Sequence, residues 1–198
     1  MSTTLLVLGT AAVIVAIDQL ARRRDAVRGR MSAADWQRLA RRCQLTVRDA
    51  PPPRHLAGAI HKTDVWVELV EEHSTLSFRL CAGLRVPLPR GFQLGAGEGG
   101  LPLRNPILKG VVQAQGGPMV VDLLDSAVIV GPLMTVLHQW PHARVDALGV
   151  HIAGSLDRPR AQLPAVIGAA VALAEAIGAA WPDRTPPRDE AQHTHAPR

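Results

Sequence analysis

Residues 5 to 17 run Leu-Leu-Val-Leu-Gly-Thr-Ala-Ala-Val-Ile-Val-Ala-Ile, and Arg22-Arg23-Arg24 follow almost at once. From Thr3 to Ala21 the stretch is 19 residues long, with Asp18 as its one ionisable side chain. Hydrocarbon offers no water to satisfy backbone N–H and C=O groups, so a segment of this kind crosses a bilayer only as a helix. At about 1.5 Å per residue, roughly 20 residues cover the hydrocarbon core. Asp18 then falls near the headgroups, where its carboxylate reaches water. At the bilayer centre it would cost about 2.5–3.5 kcal/mol. A cleaved signal peptide fits less well, because Met1-Ser2-Thr3-Thr4 carries no basic side chain and Val15-Ala16-Ile17-Asp18 is a poor small-x-small cleavage site. A buried core helix would be expected to show a polar face, which this stretch lacks.

Arg22, Arg23, Arg24, Arg28 and Arg30 follow the span and act as its topology signal, since Lys/Arg excess marks the cytoplasmic flank. The expected arrangement is a single pass through residues 3–21, with the following domain in the cytoplasm. An extracytoplasmic domain held by an uncleaved signal is the alternative. The formal net charge is +5, and five arginines against Asp18 and Asp25 place +3 of it in residues 1–31. The remainder is close to neutral, with no Tyr and only Phe78 and Phe92 as phenylalanines, which argues against nucleic acid as a partner. The basic cluster is also suited to anionic lipid. Cys43 and Cys81 are the only cysteines. They make no disulfide framework or C-x-x-C metal motif, and reduced, buried thiols are the expectation for both.

Four regions follow from the chain: a membrane anchor at 1–21, a basic linker at 22–31, an α+β domain at 32–181 and a disordered tail at 182–198 rich in Pro and charge. Ser32-Ala33-Ala34-Asp35 reads as a capping box opening a helix with Trp36, Leu39 and Cys43 on one face. Pro51-Pro52-Pro53 breaks the chain. Strands are predicted over His55 to Lys62, Val65 to Val70 and Ser74 to Ala82, with turns at Lys62-Thr63-Asp64 and Glu72-His73; Leu84, Val86 and Leu88 continue the alternation. This is an antiparallel meander with one buried face. Gly95 to Gly100 reads as a solvated loop, because Leu101-Pro102-Leu103 cannot supply the helix that a phosphate cradle requires. A strand over Ile107 to Gln115, a helix from Gly117-Pro118, a second from Ser126 to Trp140, and two strands within Ala143 to Ile152 complete the middle. The last helix, Leu163 to Trp181, carries Glu175 as its only charge. It could be a second span, but its stripe of Val166, Ile167, Val171, Leu173 and Ile177 opposite Ala165, Ala169, Ala172, Ala176 and Ala179 favours a core helix on a sheet. Early strands and late helices define the α+β class.

The stretch Leu103-Arg104-Asn105-Pro106-Ile107-Leu108-Lys109-Gly110-Val111-Val112, leading to Val121-Asp122-Leu123-Leu124-Asp125, resembles part of a group of bacterial single-pass membrane-anchored proteins of unknown function. Their pattern is a strand meander, a Gly-Asp-x-x-Phe-Asp-like box, a Leu-Leu helix pair, a hairpin and an Ala-rich helix. Ile107-Leu108 stands where that pattern has Phe-Asp. The resemblance implies a bacterial inner membrane location and a domain over about 55–180, but no activity or site residue.

No residue pattern specifies a reaction. His138 and His142 have metal-ligand spacing, but Pro141 interrupts the helix between them. His61 and His73 flank one hairpin, His55 and His151 lie on strands, and His193 and His195 fall in the tail. Glu68, Glu71 and Glu72 suit a solvated strand end, and Asp122 and Asp125 suit helix starts. The chain is therefore expected to be a membrane-anchored accessory or interaction domain with an unknown protein partner, no catalysis, no cofactor and no metal. The alternative is a membrane-associated His- or Cys-dependent hydrolase in which Cys81 or several of His55, His61, His73, His138 and His151 converge in a pocket.

Overall fold

A computed structural model of the protein describes residues 32–48, 54–72, 75–86, 88–89 and 91–181. The expected span at 3–21, the arginines of the linker and the tail from residue 182 lie outside the described residues. Four helices and eight strands occur among the described residues, in the order α1 (Ala33–Arg42), β1 (Thr46–Arg48), β2 (Arg54–Ile60), β3 (Thr63–Glu72), β4 (Thr75–Gly83), β5 (Gln93–Ala96), β6 (Val112–Gln115), α2 (Pro118–Leu124), α3 (Ala127–Gln139), β7 (Arg144–Asp146), β8 (Gly149–Leu156) and α4 (Pro159–Ala180). The strands form one antiparallel sheet in the order β1-β2-β3-β4-β8-β7-β5-β6. The class is α+β, as the sequence predicts.

Period-two alternation sorts the strands into two faces. Leu56, Val65, Val67, Leu69, Leu76, Phe78, Leu80, Ala82, Val150, Ile152 and Leu156 are all buried on one of them. α4 lies against this face, contacting β8, β4 and β3, and packs beside α3. Its Val166, Ile167, Val171, Leu173 and Ile177 are buried, so the stripe read from the sequence is the face that enters the core. Ala165, Ala172 and Ala179 point outward, whereas Ala176 is buried as well. α4 is the one unbroken helix among the described residues long and apolar enough to cross a membrane, and 50% of its most apolar stretch is buried in the fold.

α1 begins with the predicted capping box. The Asp35 N–H donates to Ser32 Oγ and the Ser32 N–H donates to Asp35 Oδ2, each at 3.2 Å. Side-chain hydrogen bonds from Ser32, and then Arg38, hold the Asp35 carboxyl at about 2. Asp35 also meets Arg160, tying the start of α1 to the start of α4. Trp36, Leu39, Ala40 and Cys43 are buried, so α1 joins the same core.

Several boundaries move. The last helix starts at Pro159, not Leu163; Pro159 suits the first helical turn, and Pro164 sits inside the helix near its start. The β2–β3 turn is His61-Lys62, with φ of 49° and 71°, so Thr63 already belongs to β3. Leu84, Arg85, Val86 and Leu88 are not in a strand: the Leu84 N–H donates to the Leu148 carbonyl, and the path bends at Arg85 and Val86. Gly95 lies inside β5, paired with Gln113 and Arg144, which leaves Gly97 to Gly100 as the turn. Ile107 to Val111 is a pair of tight turns closed by the Leu108 and Val112 N–H groups, and only Val112 to Gln115 is strand. Ser126 stands at the N-cap of α3 but makes no side-chain capping bond. Asp122 and Asp125 do not serve helix starts: they lie at the middle and end of α2 and share Arg104, at 3.4 Å each.

Gly168 faces open space on the outer side of α4. Gly168→Ala should therefore raise stability by about 0.5–1 kcal/mol, through lower unfolded-state entropy. Urea unfolding of the full chain checks this.

Candidate functional site

Opposite the helices, the alternate residues of the strands reach solvent. One row across this open face reads Ala57, Trp66, Cys81, His151 and Arg144, each directly opposite the next on the neighbouring strand. The row beside it reads His55, Glu68, Arg79 and Ala153. Both follow from register: β3 and β4 place their large apolar residues in the core, which turns Trp66, Glu68, Arg79 and Cys81 outward.

Trp66 is 41% exposed, and its ring stacks on His55 with centroids 5.3 Å apart and planes at 27°. His55 Nδ1 is shielded and has no hydrogen-bond partner among the described residues. Glu68 is mostly buried at 18% exposure, and its ion-pair partner among the described residues is the far end of Arg79, at 3.9 Å. The expectation of a solvated edge fails here because β3 is an interior strand, flanked by β2 and β4. An open groove of about 460 Å³ runs beside this pair, lined by Glu68, Val70, Ser77, Phe78, Arg79, Ala153 and Gly154. Small residues on the two central strands leave the space.

Further along the first row, the β7–β8 turn organises a polar cluster. Asp146 Oδ1 accepts the Leu148 N–H at 2.9 Å and the Gly149 N–H at 3.3 Å, and lies 2.9 Å from His151 Nε2. Burial pushes the Asp146 carboxyl up. The Leu148 N–H, the His151 ring and the Gly149 N–H outweigh it and leave the group below the ordinary carboxylate range. Cys81 faces this cluster, and its Sγ lies 2.9 Å from where a Cβ would stand on Gly149. It is half-buried rather than buried as expected; Cys43 is buried. Burial and then the Asp146 charge push the Cys81 thiol up, and burial pushes Cys43 up to about 11.

A depressed carboxyl pKa stabilises the folded chain above the unfolded pKa, and that contribution is lost as pH falls through the folded one. Asp146→Asn should therefore flatten the acid limb of the stability–pH curve while lowering stability at neutral pH. Urea titrations at stepped pH read this out.

Among the predicted site residues, the structure brings Cys81 and His151 together. His55 lies two strands from Cys81 on the same face. His61 sits in the β2–β3 turn, 3.5 Å from Glu175 of α4. His138 ends α3, which stops at Gln139, and His142 is exposed beyond it. His73, His193, His195 and the topology arginines lie outside the described residues. Among the described residues, no three His, Cys, Asp or Glu side chains converge as metal ligands. Sequence reasoning missed Asp146, whose Asp-Ala-Leu-Gly context is an Asx-turn signal. It also missed Trp66, whose exposure follows from the alternation of β3.

Cys81, His151 and Asp146 have the residue types of a nucleophilic triad, but a thiol attacks as thiolate. Here the environment favours the protonated form, and the groove is lined by other residues. No protein family, curated protein or solved structure matches the chain.

Proposed function

We propose that this chain is a membrane-attached, non-catalytic interaction module that presents the open sheet face to a protein partner. The observation that carries the reading is the half-exposed Trp66 stacked on His55, beside a groove walled by the Glu68–Arg79 pair. Half-exposed aromatics and arginines are the residue types that anchor protein interfaces. Attachment through residues 3–21, with Arg22, Arg23, Arg24, Arg28 and Arg30 on the cytoplasmic side, rests on sequence. A bacterial inner membrane is the setting that the resemblance implies. A reporter active only in the cytoplasm, fused after Arg198, should be active; an inactive reporter with intact protein would place the domain outside.

The interaction itself is tested by capture from gently solubilised membranes. Wild-type chain should retain a stoichiometric partner that Trp66→Ala combined with Arg79→Glu loses. Absence of any partner, or one held equally by the double variant, would count against the reading.

A further inference from the structure

We propose that Cys81 and His151 form a two-coordinate binding site for a soft monovalent d10 cation, Cu(I), with Ag(I) as its redox-inert analogue. The two residues stand directly opposite each other on β4 and β8, on the same face. Such a pair has Cβ atoms about 4.5–5.5 Å apart. His151 directs Nε2 at Asp146 Oδ1, 2.9 Å away. With the proton on Nε2 and donated to the carboxylate, Nδ1 keeps its lone pair. A carboxylate behind a histidine is the arrangement that fixes the tautomer of a metal-binding imidazole and raises its basicity. Gly149 supplies the room: the Cys81 Sγ leans over it, toward the turn that holds Asp146.

The ligand count selects the ion. Zn(II) takes four ligands in a closed site, and no group of three or more His, Cys, Asp or Glu ligands exists among the described residues. Thiolate and imidazole together suit Cu(I). His151 and Asp146 are 25% and 30% exposed, so the site is reachable from the open face. On binding, the Cys81 S–H bond breaks, its proton passes to solvent, and S–Cu and N–Cu bonds form with no change of oxidation state. One proton is released, so affinity rises about tenfold per pH unit while the free thiol stays protonated. The site holds whether or not the face also docks a protein.

The test is anaerobic competition of the full chain for Cu(I) against a chromophoric Cu(I) chelator. Wild type should take up one equivalent in a manner that depends on Cys81. Cys81→Ser should lose it, His151→Gln should weaken it at least tenfold, Asp146→Asn should weaken it by about 10–100-fold, and Cys43→Ser should leave it unchanged. A Cys81→Ser chain that binds like wild type, or a His151→Gln chain of undiminished affinity, would overturn the site. Wild-type chain gives a second readout that needs no variant. Ag(I) should shift the His151 Nδ1 nitrogen resonance as it protects Cys81 from alkylation; protection without that shift would mean binding to the thiol alone and also overturn the site.

Discussion

Leu80→Ala should lower the unfolding free energy by about 2–5 kcal/mol, the range for large-to-small changes at buried leucines. Leu80 is 2% exposed and stands opposite Val67 and Ile152, at the centre of the helix-covered face. Natural domains are stable by about 5–15 kcal/mol, so this one side chain carries a large fraction of the total. Trp66→Ala, on the other face, removes a larger ring that is 41% exposed, and should cost less. The ordering matters more than either value. A sheet covered on both faces would make the tryptophan the costlier loss. Urea unfolding of both variants, with matched m-values, decides between the two.

Gly149→Ala should be similarly damaging for a different reason. A Cβ there would meet the Ala82 carbonyl oxygen at 2.5 Å and Cys81 Sγ at 2.9 Å. The sulfur can swing aside, but the carbonyl belongs to the backbone of β4 and cannot. Forcing the two central strands apart should cost about 1–3 kcal/mol or more. Combining Gly149→Ala with Cys81→Ala should recover little, because the backbone clash remains. Full recovery in the double variant would show that the thiol alone occupies the space.

These two variants probe what sequence conveyed and what it did not. Ser32 and Asp35 announced α1 because a capping box is local, involving two side chains three residues apart. The alternation of Val65, Val67 and Leu69, and of Leu76, Phe78 and Leu80, announced β3 and β4 because each strand buries one face. β1 and β7, three residues each, are too short to carry a period. Ile107 to Gln115 misled because an apolar run looks the same in a tight turn over a buried Leu108 as in a strand. The largest omission was topological. β8 pairs with β4, and β7, β5 and β6 extend the sheet from there, so sequence order does not give spatial order. Cys81 and His151 are neighbours only through that long-range register, and Asp146 joins them only through the turn that follows β7. Each residue was visible in the sequence, but their proximity was not.

Exposure of Trp66 was legible in principle, since it alternates with Val65 and Val67. Its stacking on His55 again required the β2–β3 register, which a one-residue shift of the turn would have destroyed. The membrane reading draws on residues 3–21 and 22–30 alone. α4, the apolar helix among the described residues, packs on the sheet and on α3.

Site-specific photo-cross-linking in intact membranes addresses the open face most directly. A photoreactive residue in place of Trp66 should give a discrete adduct with one protein, while the same residue at Ala165, on the outer side of α4, should give none. No adduct at position 66, or the same adducts from both positions, would contradict the assignment of the open sheet face as the interaction surface.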